Sequence, residues 1–245
     1  MSHLVELRSR LLRAVGTMLV VFIALFLYPG ASVIYDLLAA PMLASLPEGT
    51  RMIATGVITP FMVPVKVTMM AAFVVSLPVV LYQIWAFVAP GLYQHEQKLA
   101  LPLIVSSSLL FLAGMAFCYF VVFGTIFSFI ASFAPQSITP APDIEAYLGF
   151  VMTMFLAFGI TFEVPVAVIL MVRMRIVTIA QLQQYRGYVI VGAFIIAAVV
   201  TPPDVVSQFL LAVPLCILYE VGILLARGIK PRPEAAKSDG QDSTS

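Results

Sequence analysis

The stretch LPLIVSSSLLFLAGMAFCYFVVF, residues 101–123, runs for 23 residues without a charged side chain. A helix needs about 20 consecutive apolar residues to cross the hydrocarbon core of a bilayer, so this stretch predicts a transmembrane helix. Outward along the chain, five similar stretches predict five more spans, at residues 11–28, 61–88, 147–172, 187–200 and 209–226. The predicted fold class is an all-α integral membrane protein with six transmembrane helices.

Composition supports this fold class. The chain has 245 residues, of which 62% are hydrophobic and only 10% are charged, whereas soluble domains carry roughly 25% charged residues. Residues 1–230 are expected to form one membrane domain, and the polar residues 231–245 a disordered tail. The net charge of +1 gives no reason to expect a nucleic-acid partner. Cys118 and Cys216 lie in apolar stretches without a CxxC or Cys/His cluster, so no metal site or cofactor is expected.

Two of the apolar stretches have features that bear on whether each forms a full transmembrane span. The fifth, residues 187–200, holds 14 residues, which makes a helix of about 21 Å against a hydrocarbon core of about 30 Å. We expect the last two helices to be short. The first stretch runs into Pro29-Gly30 without a small-residue cleavage site, so it is expected to remain as a span rather than act as a signal peptide.

The lysines and arginines between the spans indicate the orientation, because cytoplasmic loops carry an excess of them. The opposite side has Arg51 alone, with Lys66 just inside the second span. Both termini are therefore expected in the cytoplasm. The eleven basic residues on the cytoplasmic side are Arg8, Arg10, Arg13, Lys98, Arg173, Arg175, Arg186, Arg227, Lys230, Arg232 and Lys237.

The N-terminal residues predict an amphipathic helix that leads into the first span. Helical spacing places Glu6, Arg10 and Arg13 on one face, and Leu4, Leu7 and Leu11 on another. The plain interpretation is a solvated Glu6–Arg10 pair four residues apart, with the arginines acting as anchors at the membrane surface.

The first cytoplasmic loop, residues 82–98, reads YQIWAFVAPGLYQHEQK. Its aromatic residues suit the headgroup region of a membrane, and Pro90-Gly91 is a strong turn signal. These explanations leave Glu96 unaccounted for, because it places a carboxylate at a surface that repels anions.

Glu163 lies sixteen residues past Tyr147, well inside the fourth predicted span. An ionised carboxylate at that depth costs at least a few kcal/mol, so it must face a wet cavity, pair with another group or be protonated. The alternative is a neutral acid bonded to a backbone carbonyl that Pro165 leaves without its helical donor.

Three other charged side chains have simpler explanations. Lys66, near the outer end of the second span, can extend to the membrane surface. Asp204 is either the N-cap of the sixth helix or a contact for a partner. Glu220, near the cytoplasmic end of the last span, is expected to be solvated.

Four segments together resemble the TatC family, the signal-peptide receptors of the twin-arginine protein translocase. They are SHLVELRSR at 2–10, YQIWAFVAPGLYQHE at 82–96, FGITFEVP at 158–165 and TPPDVVSQ at 201–208. The resemblance implies six helices in a cupped, glove-like arrangement in the bacterial inner membrane. It also implies a non-enzymatic function, which is export of folded proteins driven by the proton-motive force. The implied partners are twin-arginine signal peptides, single-span TatA and TatB subunits, and further TatC copies.

The resemblance also implies two groups of functional residues. The first group is the implied signal-peptide site. Carboxylates suit this site because each can accept the forked guanidinium group of an arginine through two charge-assisted hydrogen bonds. The prolines Pro41, Pro78 and Pro214 fall at family positions and are expected to kink or break helices. The extra Pro64 and the glycine at Gly124 depart from the family pattern at the outer side. The implied signal-peptide site comprises Glu6, Arg8, Phe87, Leu92 and Glu96, and the implied partner or concave-face residues are Glu163, Pro41, Asp204 and Gln208.

Two other classes of function fit the sequence less well. A proton-coupled secondary transporter would use Glu163 as its relay, but such proteins need several polar groups near the midplane, and these spans are largely apolar. An intramembrane enzyme with a Ser/His dyad or a metal site would need histidine inside the membrane, whereas His3 and His95 both lie in predicted cytoplasmic segments.

Overall fold

The fold is taken from a computed structural model, and the described residues are 2–45, 51–88, 97–133 and 141–228. The predicted tail at 231–245 lies outside them, as do Leu92 and Glu96. Within the described residues the chain forms helices and no strand. The helices are α1 Ser2–Leu25, α2 Ala31–Leu43, α3 Thr59–Val88, α4 Gln97–Phe117, α5 Phe123–Phe133, α6 Ile144–Phe162, α7 Val164–Arg173, α8 Ile179–Gln184, α9 Arg186–Val200 and α10 Val205–Arg227.

Six apolar helical stretches match the six predicted spans. Five of them are long and apolar enough to cross a membrane: Val5–Leu43, Thr59–Ile84, Pro102–Phe133, Ile144–Arg173 and Val205–Arg227. The remaining one, α9, has 15 residues and is short, as predicted. The prediction that α10 is short was wrong, because this helix begins at Val205 and has 23 residues. The Asp204 side chain accepts a hydrogen bond from Ser207 N at 2.7 Å and so starts the helix earlier.

A turn at Tyr28–Gly30 separates α1 from α2. Tyr28 is extended, with φ −151° and ψ 125°, and Gly30 has φ 101°. Glycine adopts that positive φ without the steric penalty that a Cβ would bring. The turn ends the first span and lets α2 form as a separate helix.

The core of the protein is an antiparallel seam between α4–α5 and α6. Ring contacts define its register, with Phe123 against Phe155 at 5.2 Å and Phe127 against Tyr147 at 5.8 Å between centroids. Further along, a Cβ built on Gly114 would lie 2.5 Å from the Phe158 carbonyl oxygen. The two helices therefore approach so closely that only glycine fits at this point.

Hydrogen bonds join two loops at one end of the bundle, which we call the cap end. Ile53 N donates to Pro142 O at 3.0 Å, and Ile144 N donates to Ile53 O at 2.9 Å. Asp143 Oδ1 accepts from Thr55 N at 3.2 Å and from Thr55 Oγ1 at 3.0 Å. Residues before α3 are thus fixed to the start of α6.

An ion pair reinforces the cap end. Lys66 Nζ lies 2.8 Å from Glu145 Oε1, and Thr59 Oγ1 donates to Glu145 Oε2 at 3.3 Å. Lys66 was expected to extend to the surface, and its side chain is 47% exposed; its ammonium also pairs with a carboxylate from the start of another span, which the sequence did not indicate.

The cap helix α2 is held by two tyrosines. Tyr119 Oη donates to Leu37 O at 2.7 Å, and Tyr147 Oη donates to Leu38 O at 2.8 Å. Pro41 lies inside α2 and has no N–H, so the Leu37 carbonyl four residues earlier lacks its helical donor. Tyr119 supplies the missing hydrogen bond.

The end of the bundle opposite the cap is called the terminal end. Here Arg186 Nη2 lies 2.6 Å from Glu220 Oε2, and Tyr219 Oη donates to Leu182 O at 2.9 Å. Glu220 was expected to be solvated, and its side chain is 42% exposed; it also forms an ion pair that joins α9 to α10, which the sequence did not indicate. Pro78 and Pro214 lie inside α3 and α10, and each helix continues past its proline.

Candidate functional site

Near the start of α1, the Glu6 carboxylate forms an ion pair with the Arg10 guanidinium group. Arg10 Nε and Nη2 both donate to Glu6 Oε1, at 3.0 and 2.6 Å. The pair is local, four residues apart on one helix, as the spacing predicted. The Arg10 side chain keeps 21% of its surface exposed and that of Glu6 keeps 36%, so Glu6 remains within reach of a ligand.

The neighbouring face of α1 is basic and open. The side chains of Val5, Arg8, Ser9, Leu12 and Arg13 border a shallow groove of about 400 Å³. Among the described residues neither of its two arginines forms an ion pair. This groove combines apolar contact area with two guanidinium groups.

Phe87 lies in the last turn of α3, at the terminal end. The start of α3 belongs to the cap end, because Thr59 bonds to Glu145 there, and α1 packs along α3. Since α1 leads into α2 at the cap end, the first residues of α1 lie at the opposite, terminal end. The last residues of α3 lie at that same end. The structure therefore brings the helix turns that carry Glu6, Arg8 and Phe87 to one end of the molecule. Leu92 and Glu96 lie outside the described residues.

Glu163 stands at a break in the fourth span. It ends α6 and precedes α7, whose second residue is Pro165. Within the described residues, Glu163 Oε1 and Ser107 Oγ are both buried and neither has a hydrogen-bond partner of standard geometry. Ser107 is the polar side chain that lies next to this carboxyl group. Glu163 as a whole residue is partly exposed. Its Oε1 is therefore buried against the protein, while another part of the residue lies on the surface.

The other predicted partner residues lie at the cap end and are apart from Glu163. Asp204 is the N-cap of α10, which confirms its structural interpretation, and Gln208 follows one turn later. Pro41 lies in α2. The structure does not bring these residues into one site with Glu163.

Sequence reasoning missed Ser107 and the tyrosines that hold α2. Ser107 is one of three consecutive serines in an otherwise apolar span, and that run was the available signal. The partners of Tyr119 and Tyr147 are backbone carbonyls 82 and 109 residues away, which no local pattern indicates. Among the described residues no three His, Cys, Asp or Glu side chains are grouped as metal ligands.

Taken together, the apolar helical spans, with a carboxylate at the start of α1 and a buried acid in the fourth span, define a multi-pass helical membrane protein. Residues 2–214 match the family model described as Sec-independent protein translocase protein (TatC). The chain belongs to the TatC family and is a core component of the Sec-independent, twin-arginine protein translocase.

Relatives and solved structures agree along nearly the whole chain. A TatC protein of Azotobacter chroococcum mcd 1 is 54% identical over 239 residues, which is 98% of this chain and 93% of the relative. The TatC protein of Escherichia coli (strain K12) is 50% identical over 226 residues, covering 92% of this chain and 87% of the relative. A crystal structure described as the twin arginine translocase receptor TatC has a TM-score of 0.79 and 36% identity, and covers 92% of this chain and 98% of that one. These comparisons confirm the fold class and the predicted role in protein transport.

Proposed function

We propose that the chain is the receptor for twin-arginine signal peptides, and that it binds them at the terminal end, which faces the cytoplasm. The binding residues are Glu6, Arg8, Phe87, Leu92 and Glu96. The chain lies in the bacterial inner membrane with both termini in the cytoplasm, in keeping with the eleven lysines and arginines on that side.

The bond between Glu6 and Arg10 is the observation that carries this proposal. Both guanidinium donors reach Glu6 Oε1 at hydrogen-bond distance, so the carboxylate is placed and exposed as a guanidinium acceptor. An arginine offers a flat fork of donors, whereas a lysine offers a single charged point. A second carboxylate, Glu96, would match the second arginine of the signal, and the apolar side chains of Phe87 and Leu92 would receive its hydrophobic segment. Arg8 would position Glu96 or bind a carboxylate of the precursor.

Partner binding forms the second half of the proposal. TatA- and TatB-type helices dock beside Glu163 and near Pro41, Asp204 and Gln208, and further copies of the chain complete the complex. The proton-motive force then drives transport of the folded cargo. The chain itself acts as a receptor and organiser, not as an enzyme.

Site-specific photocrosslinking tests the receptor assignment. A photoreactive residue replaces Leu7, which is 44% exposed and adjacent to Glu6, or a position beside Glu96. The probe peptide carries paired arginines or, as its matched control, paired lysines. A photoreactive residue at Val199, which is 81% exposed on α9, serves as the control position.

Crosslinks at Leu7 to the arginine peptide that weaken with the lysine peptide and are missing at Val199 would support the receptor assignment. Equal crosslinks to both peptides would mean that the start of α1 is only a membrane-surface anchor.

A further inference from the structure

Three consecutive serines in α4, residues 106–108, differ in the hydrogen bonding of their hydroxyl groups. Ser106 Oγ donates to Leu103 O at 2.9 Å, and Ser108 Oγ donates to Ile104 O at 2.8 Å. Serine hydroxyls inside helices commonly bond in this way to their own backbone. Ser107 is fully buried, yet its hydroxyl has no partner of standard geometry among the described residues. Its hydroxyl is therefore left for a group on another helix.

The register of the seam between α4 and α6 places Glu163 opposite Ser107. A Cβ added at Gly159 would meet the ring of Phe111, which fixes these two residues as neighbours on antiparallel helices. One turn from Phe111 toward the terminal end is Ser107, and one turn from Gly159 in the same direction is Glu163. Ser107 is indeed the side chain found next to the Glu163 carboxyl group.

We propose that Ser107 is a positioning residue for Glu163. Its hydroxyl donates to Glu163 Oε1, the oxygen that is buried in the seam without another partner. Leaving both buried oxygens unpaired is costly in an apolar surrounding, and a hydrogen bond between them removes that cost. The bond anchors one carboxyl oxygen inside the protein, so the rest of the group is presented on the partly exposed side.

The consequence for partners rests on the proposed function. A carboxyl group held by one oxygen offers its other oxygen in a fixed direction, which is what a polar side chain on an adjacent helix would need. Such a preorganised group binds with less loss of side-chain freedom than a mobile one. Ser107 would then set partner affinity without touching the partner.

Infrared spectroscopy on the purified full chain in lipid vesicles tests the bond itself. The absorption of the Glu163 carboxyl group is identified as the band that disappears in Glu163→Gln. This band should shift in Ser107→Ala and shift partially in Ser107→Cys, because a thiol is a weaker donor. Ser106→Ala and Ser108→Ala are matched controls that remove a hydroxyl one residue away, and they should leave the band in place.

An unshifted band in Ser107→Ala, or an equal shift in all three alanine variants, would overturn the proposal. The spectroscopic result does not depend on the proposed receptor function, so its failure can be told apart from a failure of that function.

Crosslinking to partner helices gives the functional readout. A photoreactive residue at Ile160, which is 62% exposed and one turn before Glu163, should crosslink to a TatA- or TatB-type helix. Ser107→Ala should lower the affinity for the partner helix, as reported by this crosslink, about fivefold, which is the equivalent of one hydrogen bond. Ser106→Ala and Ser108→Ala should leave this affinity unchanged. A shifted infrared band with an unaltered crosslink would uphold the bond and contradict Glu163 as a partner contact.

Discussion

The first and fourth spans differ most in how the protein holds them. Eight residues of α6 are buried, among them Met154 and Phe158, and the helix packs against α4, α3 and α10. In contrast, the most apolar window of the first span has no buried residue, and α1 packs mainly along α3. The fourth span is therefore the framework of the fold, and the first is attached along one edge.

Their polar contacts differ in the same way. At the start of α6, Asp143 and Glu145 bond to Thr55 and Lys66, which are 79 to 88 residues away in the chain. At the start of α1, Glu6 bonds to Arg10 on the same helix. The difference teaches that side chains at the start of α6 hold distant parts of the chain together, whereas those at the start of α1 contribute little to stability. The predictions that follow test this division.

The largest loss of stability is expected from Gly114→Ala. The added Cβ would lie 2.5 Å from the Phe158 carbonyl oxygen and 2.9 Å from Phe162 Cγ, and the backbone atom cannot move aside. We expect the free energy of unfolding to fall by about 3 kcal/mol, measured by thermal unfolding in detergent. Gly149→Ala is the control on α6, because nothing lies within 4 Å of its added Cβ. An unchanged unfolding temperature for Gly114→Ala would mean that the seam is looser than described.

A smaller loss is expected from Tyr147→Phe. The buried hydroxyl that donates to Leu38 O disappears, and a hydrogen bond of this kind contributes about 1 kcal/mol. Tyr119→Phe should cost less, because its bond to Leu37 O is exposed rather than buried, so the carbonyl that loses its donor is not buried either. The same unfolding assay distinguishes the two variants, and a larger effect of Tyr119→Phe would reverse the order of importance given to these tyrosines.

Acid should weaken the cap end through Asp143. The Ala146 backbone N–H, followed by the Thr55 and Glu145 donors, holds the pKa of this carboxyl below its ordinary value. Because the folded pKa is lowered, this contribution to stability is complete above the ordinary aspartate pKa of about 3.9 and is lost as the pH falls through the folded pKa.

The measurement is the unfolding temperature of wild type and Asp143→Asn between neutral and acidic pH. The difference between the two proteins should be constant at neutral pH and shrink only in strong acid. A difference that already shrinks between pH 7 and 5 would contradict the assigned direction of the shift.

The smallest change in stability is expected from Arg10→Gln. The lost pair lies four residues apart on one partly exposed helix, and pairs of this kind contribute about 0.3–0.5 kcal/mol. Thermal unfolding should scarcely detect it. If Arg10→Gln destabilised the chain as much as Gly114→Ala, the contrast between the first and fourth spans would be wrong.

The sequence predicted the six spans because length and apolarity are local properties. It also predicted the Glu6–Arg10 pair from helical spacing and offered an N-cap as one role of Asp204. It could not predict the pairs Lys66–Glu145 and Arg186–Glu220, which join residues 79 and 34 positions apart. Such contacts depend on which spans are neighbours and in which register they pack.

The candidate site also divides into residues that the sequence named and contacts that depend on how the spans pack. The resemblance to TatC named Glu6, Arg8 and Phe87, and the fold places their helix turns at the same end of the molecule. The environment of Glu163 could not be derived from its own segment, because Ser107 lies on another span and is distinguished from Ser106 and Ser108 only by the packing of α4 against α6.

The most direct test of the account is equilibrium binding of a twin-arginine peptide to wild type and Glu6→Gln, with thermal unfolding measured on the same samples. The account predicts at least about a tenfold loss of affinity, the value of one charge-assisted hydrogen bond, with the unfolding temperature nearly unchanged. Unchanged affinity, or affinity lost only together with the fold, would contradict the claim that the start of α1 serves recognition separately from the framework.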